Sequence, residues 1–194
     1  MIFNYTILLT YFIFAYLVCC FQTGDFISNL RGIEIRSIGT GNPGAANFYR
    51  KVGPKYGVLV LLLDFLKGIL VTIPIHFLPT LSTFDWLILI TIFGALCGHY
   101  FPLPFNKIGG TGMGLGIGLV FGISPIAAFL SFFPAFIYLI LFKKPSIAGV
   151  IGVISYLIII LFYFYDLINV ISIIVCWICI GIKGWVQYKG DIFK

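Results

Sequence analysis

Apolar residues in this chain come in runs, and the lengths of those runs leave few folds open. The first extends from Ile2 to Phe21, the second from Gly57 to Leu78, and a third opens at Asp85 and reaches about Cys97. Further runs cover Met113–Phe142, Ile147–Phe164 and Ile168–Ile182. A helix of about 20 apolar residues spans the ~30 Å hydrocarbon layer of a bilayer. Lipid offers no water to unpaired backbone N–H and C=O groups, so only helices and closed barrels survive there, and unbroken apolar runs mean helices. The chain is 61% hydrophobic and 9% charged over 194 residues. So few polar residues cannot clothe a soluble domain of that size. The sequence predicts an all-α integral membrane protein, with residues 1–194 forming one polytopic domain. The first run is longer than a signal-peptide core and lacks a basic leader, so it reads as a retained span.

The run from Met113 to Phe142 decides the topology. Kept whole, it sends Lys143 and Lys144 to the opposite side from Lys107; split at Ser124-Pro125, it leaves every Lys and Arg except Lys67 on one side. Basic loops sort to the cytoplasm, which favours about seven transmembrane helices, the amino terminus outside and the carboxyl terminus cytoplasmic. The same sorting accounts for the net charge of +6 without nucleic acid. The fourth helix is then short, about eleven residues at ~1.5 Å each, and must be sheltered by its neighbours. Gly114, Gly118 and Gly122 lie on one of its faces, where they permit close helix contact.

Between the first two spans lies the polar segment Arg36-Ser-Ile-Gly-Thr-Gly-Asn-Pro-Gly-Ala-Ala-Asn-Phe-Tyr-Arg50. Asn42-Pro43 reads as a helix start, with Asn as cap and Pro at the first helical position. Gly39, Gly41 and Gly44 let backbone approach a ligand closely, and loop amides meeting a helix N-terminus beside Arg50 make an anion site, most simply for phosphate. The segment formally matches a dinucleotide fingerprint, but a membrane span replaces the strand that such a motif requires. An interfacial loop explains its glycines without explaining the arginines around them. Asp64 and Lys67 sit inside the second span at i, i+3 spacing, either as a pair neutralised for folding or as the border of a polar site. His99 closes the third span, as an interfacial residue or as a proton acceptor. It has no second histidine or carboxylate at ligand spacing, so neither a metal nor a cofactor is expected. Cys176-Trp177-Ile178-Cys179, within a span, reads as packing.

Two runs carry a family resemblance. Gly39-Thr40-Gly41-Asn42-Pro43-Gly44-Ala45-Ala46-Asn47, then Arg50, then Leu63-Asp64-Phe65-Leu66-Lys67-Gly68 resemble the first signature of the small bacterial membrane acyltransferases. Gly98-His99-Tyr100-Phe101-Pro102 followed by Gly109-Gly110-Thr111-Gly112 resembles their second. These enzymes move a fatty acyl group from acyl phosphate to glycerol 3-phosphate. The resemblance implies a seven-helix protein of the bacterial inner membrane with both signatures on the cytoplasmic side. It implies a catalytic pair at Thr40 and Arg50 with Asn42 and Asn47 beside it, glycerol 3-phosphate held on the backbone of Gly109, Gly110 and Gly112, and lysophosphatidic acid made for phospholipid synthesis. Where the family has Lys-Gly-Gly-Lys-Gly, this chain has Ile108-Gly109-Gly110-Thr111-Gly112, with Lys107 one position earlier. The family's third signature is not recognisable after Ile182, where Lys183, Gln187 and Lys189 are the polar residues on offer.

The resulting candidate site joins Thr40, Arg50 and His99 as catalytic groups. Gly39, Gly41, Asn42, Gly44, Asn47, Lys107, Gly109, Gly110, Thr111 and Gly112 are the expected phosphate binders, and Arg36, Asp64 and Lys67 the supports. The missing lysines also admit a catalytically weak relative that only binds a phosphorylated lipid or metabolite, and the broken fourth helix admits a small transporter.

Overall fold

A computed structural model describes residues 2–77, 86–103, 108–142, 145–164 and 167–192. Among them all regular secondary structure is helical. In chain order the helices are α1 (Ile2–Cys19), α2 (Thr23–Leu30), α3 (Ala45–Lys51), α4 (Pro54–Thr72), α5 (Pro74–Phe77), α6 (Leu87–Tyr100), α7 (Met113–Ile123), α8 (Pro125–Phe142), α9 (Pro145–Ile159) and α10 (Leu167–Ile192). A 3-10 turn at Ile35–Ser37 and a π turn at Ile160–Phe164 complete the set. Segments Tyr5–Leu30, Pro54–Phe77, Pro125–Phe142 and Leu167–Gln187 are long and apolar enough to cross a bilayer. Leu87–Tyr100, Met113–Ile123 and Ile147–Phe162 are apolar but shorter. The chain is therefore a helical integral membrane protein.

Glycines set the closest helix contacts. Along α7, Gly114 meets Leu61 and Asp64 of α4, Gly118 meets the Phe65 carbonyl, and Gly122 meets Ile69 and Thr72. The numbers climb together, so α4 and α7 run parallel. A Cβ at Gly118 would overlap Phe65 O, which is why that face is glycine. Gly94 and Gly98 of α6 bring it equally close to the Phe12 and Tyr16 carbonyls of α1, again in parallel. The main core gathers between these pairs and α10, with Leu115, Leu119, Tyr156, Ile173 and Cys176 at its centre. As expected, α7 is an eleven-residue helix that begins at the glycine tetrad and breaks before Pro125.

The two ends of the α4–α7 pair differ. At the far end α4 stops at Thr72, and His76 of α5 shares a 2.9 Å hydrogen bond with the Gly122 carbonyl in the last turn of α7. At the near end, residues 22–56 build a cap whose Ile27, Ile35 and Phe48 form a small second core with Val60 of α4. Two boundaries depart from the sequence reading. The cap helix starts at Ala45 with Gly44 as its N-cap, rather than at Pro43, because Asn42 turns its Oδ1 onto the Gly44 amide at 3.0 Å. The last helix continues through Lys183 and Gln187 to Ile192 rather than stopping near Ile182, and so carries both residues to the near end.

Candidate active site

The first glycine loop folds on its own side chains. Gly39 and Gly41 take positive φ (60° and 68°), which tightens the turn at no Cβ cost. Asn47, 2% exposed, braces it from inside: its Oδ1 accepts from the Thr40 amide at 3.2 Å, and its Nδ2 donates to the Ile38 carbonyl at 2.8 Å and to Ile35 O at 3.4 Å. The Gly41 amide donates to Ile38 O, and the Asn42 amide to Thr40 Oγ1. These amides are consumed by the loop. The amides of Gly39 and, in the first turn of α3, of Ala45 and Ala46 have no acceptor among the described residues.

The second loop is held from outside. Gly109 donates its amide to Tyr100 O, and its Cα lies so close to His99 O that a Cβ would overlap it. Gln22 donates to that same carbonyl, and the Tyr100 hydroxyl donates to Thr111 O at 3.1 Å. Arg36 grips Asp25 through two hydrogen bonds and donates a third to Ile108 O at 2.9 Å, so one guanidinium ties the cap to the second loop. Gly112, at φ 84°, turns the chain into α7. The amides of Gly110, Thr111 and Gly112 have no acceptor among the described residues.

The two loops touch. A Cβ on Gly110 would stand 3.3 Å from Asn42 Oδ1 and 3.5 Å from the Gly44 Cα. Beneath the contact opens a cleft of about 460 Å³, within the range of small-molecule sites. Its lining includes Asn42, Gly44, Ala45, Ala46, Arg50, Asp64, His99, Gly110, Thr111 and Gly112, with Tyr49, Val58, Leu61 and Met113 supplying an apolar flank. Residues at the starts of two helices whose amides have no acceptor among the described residues thus line one cleft with Arg50, an arrangement suited to anions.

Of the residues read as site candidates, Asn42, Gly44, Arg50, Asp64, His99, Gly110, Thr111 and Gly112 line the cleft. Gly39, Thr40, Gly41 and Asn47 shape the first loop behind it, and Gly109 seats the second. Arg36 stands outside as the tie, and Lys107 lies outside the described residues. Lys67 is buried below the cleft, 2.9 Å from Asp64 Oδ1, and donates to Phe21 O at 2.7 Å; Thr23 donates to the same Asp64 oxygen at 2.6 Å. Removing one partner from such a pair leaves an uncompensated charge in hydrocarbon, at a cost of about 3–5 kcal/mol. His99 is 3% exposed, and neither ring nitrogen has a partner among the described residues. The sequence reading missed how Gln187 is used: its Oε1 accepts from Asn42 Nδ2 at 2.9 Å, bringing α10 against the first loop. Its spacing of four from Lys183 was the available signal.

Comparison with known proteins agrees with this geometry. Residues 9–193 match the profile of the family described as glycerol-3-phosphate acyltransferase. The chain is 37% identical over 150 residues to the glycerol-3-phosphate acyltransferase of Aquifex aeolicus (strain VF5), covering 74% of this chain and 73% of that one. To the enzyme of that name from Staphylococcus aureus (strain JH9) it is 34% identical over 146 residues, covering 72% of each. Two crystal structures of PlsY (YgiH), an integral membrane glycerol 3-phosphate acyltransferase, superpose with TM-scores of 0.77. The glycerol 3-phosphate form is 32% identical and covers 95% of this chain and 90% of that one; the lysophosphatidic acid form is 31% identical and covers 91% and 87%. With a profile match over nearly its whole length and both signatures meeting at one cleft, this chain belongs to the glycerol-3-phosphate acyltransferase family.

Proposed function

We propose that the chain carries out its family's reaction in this cleft, moving a fatty acyl group from acyl phosphate to glycerol 3-phosphate and releasing lysophosphatidic acid and phosphate. The observation that carries the reading is that Ala45, Ala46 and Gly110–Gly112, whose amides have no acceptor among the described residues, line one space with Arg50 and with His99, whose ring nitrogens have no partner among them either. Arg50 with the Ala45 and Ala46 amides takes the phosphate of the acyl donor, and the Gly110–Gly112 backbone takes glycerol 3-phosphate. The acyl chain leaves along the apolar flank at Val58, Leu61 and Met113.

An acyl phosphate carries its own good leaving group, so holding the two substrates in register supplies much of the rate. A glycerol hydroxyl oxygen bonds to the acyl carbon while its proton passes to His99. The carbon–oxygen bond to phosphate then breaks, its electron pair departs on phosphate, and His99 returns the proton there. A positioned base of this kind contributes about 10²–10⁴-fold. Arg50 and the free amides stabilise the charge that gathers on the carbonyl oxygen and the departing phosphate.

We further propose seven crossings, with the amino terminus outside and the cleft facing the cytoplasm of the inner membrane. The parallel pairs α1–α6 and α4–α7 support this, as does the concentration of Arg31, Arg36, Arg50, Lys51 and Lys55 in the cap. A cysteine placed at the exposed Glu34 should react with an impermeant maleimide in inverted vesicles only, measured against the unsubstituted chain.

Purified protein should release phosphate from palmitoyl phosphate only when glycerol 3-phosphate is present. Arg50→Ala should lower kcat/KM by about 10–100-fold, the span of one or two charge-assisted hydrogen bonds. A folded wild type that shows no turnover refutes the assignment.

A further inference from the structure

Among the described residues, the second loop presents amides to a phosphate but no cation of its own. Thr111 stands where the resemblance leads one to expect lysine, and Arg36 is occupied by Asp25 and Ile108 O. Arg50 belongs to the opposite wall, on α3. Of the described residues that line the cleft, Arg50 is the one Lys or Arg, and a single guanidinium is a poor arrangement for two dianions in a partly desolvated cleft.

The helix that the sequence reading ended too early brings a second cation to the spot. Lys183 of α10 holds its Nζ 5.1 Å from the centre of the Tyr100 ring and 5.5 Å from that of Phe101. Tyr100 is the residue whose hydroxyl donates to Thr111 O, and a Cβ on Gly112 would lie 3.2 Å from its ring. The ammonium is thus parked one aromatic ring away from the loop. Neither of the two ion pairs among the described residues includes it. Two neutral rings are weak partners for a lysine, whereas a phosphate dianion is a strong one, and the four-carbon stem is flexible enough to change between them. One helical turn on, Gln187 accepts from Asn42, which fixes the rotation of α10 so that residues 183 and 187 face the two loops together.

We infer that Lys183 is the phosphate-binding cation of the second loop, swinging from Tyr100 and Phe101 onto the phosphate of glycerol 3-phosphate, with Gln187 latching α10 in the register that allows it. The inference rests on the proposed reading that this loop takes glycerol 3-phosphate. The test is steady-state kinetics of the full-length protein in detergent, varying glycerol 3-phosphate and palmitoyl phosphate separately. Lys183→Met should raise KM for glycerol 3-phosphate by about tenfold or more, the scale of one charge-assisted hydrogen bond, with kcat within about twofold and KM for palmitoyl phosphate unmoved. Lys183→Arg should recover most of that affinity, and so should adding Thr111→Lys to Lys183→Met. Heat protection by glycerol 3-phosphate alone reads the same contact without turnover, strong in wild type and weak in Lys183→Met. A glycerol 3-phosphate KM within twofold of wild type in Lys183→Met overturns the inference, as does a fall in kcat or stability with KM unchanged, which would assign Lys183 to ring packing. A wild type that is protected but inactive removes the acyltransferase reading and leaves the Lys183 question to the protection data. A wild type neither protected nor active removes both.

Discussion

The two glycine loops do similar work by opposite means. The first, Gly39 to Gly44, is held by side chains within ten residues of it: Asn47 braces it, while Asn42 and Thr40 occupy its amides. The second, Gly109 to Gly112, contributes almost nothing to its own shape. It borrows Gln22 and Arg36 from the cap, and His99 and Tyr100 from α6. A loop built from its own side chains keeps its geometry when its neighbours change. One built from its surroundings fails when any of several distant contacts is lost.

The sharpest break in that comparison is at Gly109. A Cβ there would overlap His99 O, a backbone atom of α6 that Gln22 also holds, so neither side can yield cheaply. Gly109→Ala should lift the second loop off α6 and cost at least about 100-fold in kcat/KM, as a displacement near 1 Å does elsewhere. Gly110→Ala is the comparison, since its Cβ would meet Asn42 Oδ1 at 3.3 Å, Gly44 Cα at 3.5 Å and Gly44 N at 3.6 Å without overlapping any of them, and it should cost less. Equal losses in the two variants would mean that contact with α6 is not what positions the loop.

For the first loop the largest effect falls on stability. Asn47→Leu leaves the buried Thr40 amide unpaired, at about 1–3 kcal/mol where water cannot reach it, and takes a second donor from the Ile38 and Ile35 carbonyls, which keep the Gly41 and Ile38 amides. The unfolding temperature should drop clearly and activity should fall with it. For the second loop the matching change is Arg36→Met. Its ion pair with Asp25 is partly exposed, at 23% and 16%, so the electrostatic part is screened and its loss should cost no more than about 1 kcal/mol in stability. Its hydrogen bond to Ile108 O orients the loop, so kcat/KM should fall by about fivefold to tenfold while the unfolding temperature barely moves. Asp25→Asn should reproduce part of that loss, and the double variant should cost less than the sum of the singles.

This asymmetry also explains what the amino-acid sequence revealed. The helical membrane fold and the glycine face of α7 follow from run length and spacing, which are local properties. The first loop was visible for the same reason, because its glycines and asparagines lie side by side. Even there the helix start was misplaced: Asn42 can cap a helix or turn back on Gly44, and only the folded loop shows which it does. The second loop's supports lie at positions 22, 36 and 100, and no local pattern links them. Gln187 was hidden for another reason. Polar residues after an apolar run look like the end of a span, yet α10 continues through them because the cap gives them somewhere to bond.

The smallest expected effect tests how self-contained the first loop is. Thr40 reads in the sequence as a catalytic hydroxyl, but it lies behind the cleft lining, and its Oγ1 accepts from the Asn42 amide at 3.4 Å. A hydroxyl used this way shapes a turn through one long hydrogen bond, worth at most about 1 kcal/mol. Thr40→Ser keeps the acceptor and should stay within about twofold of wild type in kcat/KM, while Thr40→Val keeps the volume, loses the acceptor and should cost about threefold. Both should leave the KM for each substrate nearly unchanged if the hydroxyl serves the turn alone. A hundredfold fall in kcat for Thr40→Val at an unchanged unfolding temperature would move this hydroxyl from the turn to the reacting atoms. The first loop would then close over its substrate rather than stand preformed beside it.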